Sequence, residues 1–128
     1  MHKRTRRMGR LAGFALCLEV DVIVYRKAIE LAADVQRLVL PRLEKRDAEL
    51  HQQLHRAVRS VVLNIAEGRS LRGKRRGNHF AIALGSARET HACIELALAL
   101  ELLPEGGGVA RLLDSADHVQ AMLYKLSR

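Results

Sequence analysis

The sequence predicts an all-α fold, an up-down-up-down four-helix bundle assembled as a ring-like homo-oligomer, and three observations lead there. Apolar residues recur every three and four positions through four segments, while the alternation of a half-buried strand is absent. Strong punctuation inside the chain comes from Pro41, Pro104 and the glycines near residues 68–77 and 106–108. Aromatic residues make up only 3% of the chain and tryptophan is absent, so the core has to be built from Leu, Ala, Val and Ile, which suits helix-on-helix packing. At 128 residues the chain forms one domain whose core needs no disulfide or metal staple.

Residues 1–20 read as a basic, disordered arm preceding a domain at residues 21–128. "MHKRTRRMGR" followed by "LAGFALCL" imitates the basic and apolar parts of a signal peptide. The apolar run is only eight residues long before Glu19, and no small-residue cleavage site follows, so export is not expected. No uninterrupted apolar span approaches the ~20 residues that cross a bilayer, so no membrane partner is expected either. Cys17 and Cys93 form no CxxC pair and read as reduced thiols of a cytoplasmic protein.

The first helix is expected from Asp21 to Leu40 on the stripe Tyr25, Ala28, Ala32, Val35 and Val39, with Asp21 as N-cap and Pro41 as terminator. A second follows from Asp47, another capping residue type, to Glu67 on Leu50, Leu54, Ala57, Val61 and Ile65. Gly68 then sits where a left-handed C-cap is wanted. Arg56, Ser60, Asn64 and Glu67 line a polar strip beside that seam, with Asn64 and Glu67 expected to hold specific neighbours. His51 and His55 in "HQQLH" copy the spacing of a zinc-protease helix, but Gln52 replaces the glutamate base and no third ligand is recognisable, so no metal is expected.

"GRSLRGKRRGNH" is expected to be a short, glycine-punctuated loop carrying Arg69, Arg72, Lys74, Arg75 and Arg76. It lacks the spacing and the preceding strand of a P-loop. The third helix, Asn78 to Leu103, has one apolar stripe on Phe80, Leu84, Ala87, His91, Ile94 and Leu98. A second lies opposite on Ile82, Gly85, Cys93, Leu96, Leu100 and Leu103. A helix in a four-helix bundle faces one core, so the second stripe is expected to meet another subunit. Gly85 and Ser86 would let backbones approach closely, and Glu89, lying in that stripe, is expected to pair with Arg56 or Arg59. After Pro104 and Gly106 to Gly108 a last helix is expected over residues 109–126 on Leu112, Ala116, Val119, Leu123 and Leu126.

Gln53, Arg56 and "NIAEG" (Asn64 to Gly68), followed by Phe80 and "IALGSARE" (Ile82 to Glu89), resemble the signature of a bacterial four-helix-bundle family. That family includes the proteins encoded by intervening sequences of 23S ribosomal RNA genes, and related members are similar to accessory proteins of diversity-generating retroelements. The resemblance covers about residues 20–126, with Arg56, Asn64, Glu67, Gly68, Gly85, Ser86 and Glu89 as its structural motif. It implies a small bundle, commonly a ring of five, with nucleic-acid binding as the usual suggestion and a reverse transcriptase as one conceivable partner. Tyr25 stands where the family often has tryptophan, and residues 1–18 have no counterpart in its short N-terminus.

Charge decides the functional expectation. Lys3, Arg4, Arg6, Arg7 and Arg10 form one acid-free cluster and Arg69, Arg72, Lys74, Arg75 and Arg76 another, while the other 12 of the 22 cations are outnumbered by 14 acids. The net charge of +8 is therefore concentrated in two places, which points to a polyanion. The expected function is a non-enzymatic, oligomeric accessory protein binding RNA or DNA backbone through Arg69, Arg72, Lys74, Arg75, Arg76, Lys3, Arg4, Arg6 and Arg7. With so few aromatics, base stacking is not expected. A structural or protein-interaction scaffold docking an acidic partner is the alternative. No catalytic triad, paired-carboxylate site or cofactor motif stands out, so no catalytic residue and no cofactor is expected.

Overall fold

A computed structural model describes residues 2–128, with side chains from Val20 onward. The expectations placed on the side chains of Lys3, Arg4, Arg6, Arg7, Arg10 and Cys17 therefore lie outside the described side chains, while the backbone of the segment expected as a disordered arm belongs to the first helix from His2 onward. Five helices and no strand occur among those residues: α1 (His2–Leu38), α2 (Leu40–Arg46), α3 (Ala48–Arg69), α4 (Gly73–Ala99) and α5 (Val109–Leu126). The all-α expectation is met, but the count of four helices is corrected to five.

The extra helix comes from Pro41. At the first turn of a helix its missing N–H belongs to a group that would have no intrahelical partner anyway, so the residue that ends α1 also opens α2. Val39 joins the two: its N–H donates to the Val35 carbonyl at 3.0 Å, and its own carbonyl accepts from Leu43 at 3.2 Å. Leu40 and Leu43 bury this turn against the rest of the core. Asp21 is likewise not an N-cap, because α1 runs straight through it.

Asp47 does cap α3, its carboxylate accepting from the Leu50 N–H at 3.0 Å. α4 begins at Gly73 instead of Asn78 and ends at Ala99 instead of Leu103. The cations taken for a loop are good helix formers whose long side chains reach solvent from a first turn. Gly73, at φ +63°, makes the bend that lets the helix start there. At the other end the Leu102 N–H closes onto the Ala97 carbonyl at 2.9 Å, and Glu101 takes φ +59°. α5 has the bounds read from the sequence.

α3 packs on α4, α4 on α5, and α1 on both α3 and α5, with α2 lying against α3 and α1. The shared core holds Val24, Leu31 and Val35 of α1, Leu54, Val61 and Ile65 of α3, Phe80 and Ile94 of α4, and Leu112 and Leu123 of α5. Arg46 ties α2 to the α4–α5 connection by donating to the Leu102 carbonyl at 3.0 Å. Of the two stripes on α4, Phe80, Leu84, Ala87 and Ile94 are buried. The second is mixed: Cys93 and Leu103 are buried too, whereas Ile82, Leu96 and Leu100 are 52%, 47% and 53% exposed. Among the described residues no helix is long and apolar enough to cross a membrane.

Candidate nucleic-acid interface

The basic cluster surrounds the turn Ser70–Arg72, which joins the end of α3 to the start of α4. Its anchor is Asp21, 1% exposed on α1. One carboxylate oxygen accepts from Arg69 Nε at 3.2 Å and the other from Arg76 Nη2 at 2.8 Å. A carboxylate this deep needs such partners, since an unpaired buried charge costs several kcal/mol. Each guanidinium also lies over an aromatic ring, Arg69 over Tyr25 at 4.9 Å and Arg76 over Phe80 at 4.8 Å. Two of the five cations are thus turned inward as a clamp joining α1, α3 and α4.

Arg72, Lys74 and Arg75 are exposed. Arg72 is the N-cap of α4 in extended conformation without a side-chain cap bond, and no acid occupies the first turn. The N–H groups of that turn and the positive end of the helix dipole therefore reinforce the cations instead of being offset by them. The end of α5 adds another cation: a cavity of about 280 Å³ is lined by Gly73, Lys74, Gly77, Asn78, Ser127 and Arg128. A Cβ on Gly77 would already stand 3.4 Å from the Ser127 carbonyl oxygen, so this end of α5 lies close against α4.

Gly68 is inside α3, not at a left-handed cap, and its function is proximity. A Cβ there would be 3.1 Å from Phe80 Cε1, so the ring that supports Arg76 is seated on the bare glycine. Gly68→Val is expected to lose about 1–3 kcal/mol by overpacking, despite glycine's poor helix propensity. Urea denaturation measures this, and a variant as stable as the parent would show that the ring has room to move.

The polar strip of α3 meets α4 through a chain of hydrogen bonds. Asn64 Oδ1 lies 3.1 Å from His79 Nδ1, while its amide donates to the Ser60 carbonyl at 2.9 Å. Ser86 Oγ donates to Ser60 Oγ at 2.7 Å, and Thr90 Oγ1 to the Ser86 carbonyl at 2.8 Å. Asn64 thus holds the specific neighbour expected of it. Arg56, Glu67, Gly85 and Glu89 are exposed. Inside one chain Glu89 is paired with neither Arg56 nor Arg59, the two partners expected for it. A Cβ added at Gly85 would meet nothing within 4 Å, so no helix uses its small size among the described residues.

His51 and His55 stack at 5.9 Å between ring centroids. Burial, then the neighbouring charges of Arg59 and His51, holds His55 below the usual histidine range. Burial and then Glu89 push the Cys93 thiol up, away from its reactive thiolate form.

A family model described as 23S rRNA-intervening sequence protein matches residues 20–125. The chain belongs to that family. The matched span holds Asp21, Arg69, Arg76 and the exposed cations of α4, and it stops short of Arg128. A crystal structure from Bacteroides thetaiotaomicron, of a protein with unknown function from the S23 ribosomal protein family, is similar at 22% identity and a TM-score of 0.76. The likeness covers 84% of this chain and 97% of that one. At this identity it is a likeness of fold. None of the curated proteins matches the chain.

For this member of the 23S rRNA-intervening sequence protein family, the basic cluster stood out in the sequence as a set, but its division did not. Asp21, Tyr25 and Arg128 were missed. One signal was present: Asp21 precedes Val24, Ala28 and Leu31 at helical spacing, so the core stripe continues back onto a carboxylate, and such a carboxylate requires cations.

Proposed function

We propose that this chain is a non-enzymatic, homo-oligomeric accessory protein of the cytoplasm that binds the phosphate backbone of RNA or DNA. In this reading the four long helices form an up-down-up-down bundle, and bundles join into a ring that repeats the basic end of α4. The exposed trio Arg72, Lys74 and Arg75 at a helix start without an acid carries the proposal. Arg and Lys at such an end offer forked and point-charge donors to phosphate oxygens. Arg69 and Arg76 stiffen the turn behind them, and Lys3, Arg4, Arg6 and Arg7 add charge from the N-terminal segment. Repetition around a ring converts weak contacts into avidity. A reverse transcriptase is a candidate protein partner in this reading.

Anisotropy titration with labelled RNA and DNA at rising salt tests this. The logarithm of affinity should fall linearly with that of salt, and Arg72→Glu, Lys74→Glu and Arg75→Glu together should flatten the slope by about 2–3 per engaged protomer. Absence of binding at low salt, or a slope indifferent to the three changes, refutes the reading. A pull-down of an acidic protein that survives nuclease would favour the scaffold instead.

A further inference from the structure

We propose that the outward face of α4 docks into the apolar groove between α1 and α3 of a second copy, with Glu89 of one copy against Arg59 of the other. This rests on the oligomeric reading above and specifies which two surfaces meet.

The α4 face carries Ile82, Leu96 and Leu100, each about half exposed. Gly85 leaves a notch among them that nothing enters among the described residues. Glu89 stands in the middle of this face with no ion-pair partner among the described residues. The groove, about 300 Å³, is lined by Ile29, Ala32, Arg59, Val62 and Leu63. Leu63 is 67% exposed, more than any other large apolar residue described, and Ile29 is 43% exposed. Among the described residues Arg59 is the one charged residue of the lining, and it too has no ion pair there. Each surface thus combines exposed apolar groups with one unmatched charge, and the charges are opposite.

Charge also selects how the surfaces pair. A twofold contact of α4 on α4 would enclose two Glu89 carboxylates near its centre, and a groove-on-groove contact would enclose two Arg59 guanidiniums. Neither supplies the counter-charge that a dehydrated ion requires. Placing the α4 face in the groove matches acid to base and apolar to apolar. The contact uses different patches on the two copies, so it is heterologous, and contacts of that kind generate rings when their rotation closes.

The test uses the full chain and sedimentation velocity over a concentration series, with far-UV circular dichroism to confirm folding. Arg59→Glu and Glu89→Arg should each raise the concentration needed for assembly tenfold or more. The double exchange R59E/E89R should restore assembly toward that of the parent. Assembly that ignores both single changes, or a double exchange no better than the singles, overturns this pairing while leaving the oligomer standing. A parent chain that sediments as a folded monomer throughout overturns both.

Discussion

Phe80→Ala is expected to lower the free energy of unfolding by about 3–5 kcal/mol, the largest effect of any single truncation considered for this chain. The ring is fully buried. Its edge rests on Gly68, which has no side chain to swing into a vacancy, and its face supports the Arg76 guanidinium at 4.8 Å. The site therefore cannot collapse around the missing atoms, and the cavity term adds to the lost transfer energy. The thermal midpoint should fall by on the order of 10–20 °C, given the usual entropy of unfolding at this size. Urea denaturation followed by circular dichroism reads the loss directly. A change below about 1 kcal/mol would mean the ring is not the support described above.

The second large effect is at Asp21, and it has two readouts of opposite sign. Asp21→Asn is expected to cost about 2–3 kcal/mol of stability, because two guanidiniums are left facing an uncharged group. That range sits below the full penalty for breaking a buried pair, since Arg69 and Arg76 keep 33% and 23% of their side-chain surface in water. The same change releases both cations toward the exposed trio, so affinity for nucleic acid should rise and its salt dependence should steepen. Stability unchanged within about 0.5 kcal/mol would show that the clamp contributes no more than a surface pair. A loss of stability with no gain in affinity would place the clamp outside the binding surface.

The residues that announced themselves in the sequence did so through local chemistry. Asp47 caps α3 because a carboxylate ahead of an apolar-periodic run has one obvious donor to reach, and α5 follows its stripe from Val109 to Leu126. What stayed hidden depends on neighbours distant in sequence. Asp21 resembles an N-cap until Arg69 and Arg76, 48 and 55 positions away, are placed beside it. Gly68 resembles a C-cap until Phe80 is seen resting on it. The start of α4 was concealed because glycines and a dense charge run mark both loops and solvated helix ends, and spacing alone does not separate them. Glu89 was correctly placed on the outer face of α4, but no ion pair holds it among the described residues.

Both tyrosines of this tryptophan-free chain lie beneath arginines, Tyr25 under Arg69 and Tyr124 under Arg128. Those arginines flank the turn between α3 and α4, one in the Asp21 clamp and the other beside Lys74. The molecule consequently carries an unlabelled optical reporter at the surface in question. Its ultraviolet emission arises from two phenols, with no indole to mask them, so a polyanion that draws either guanidinium away should register as a change in native fluorescence.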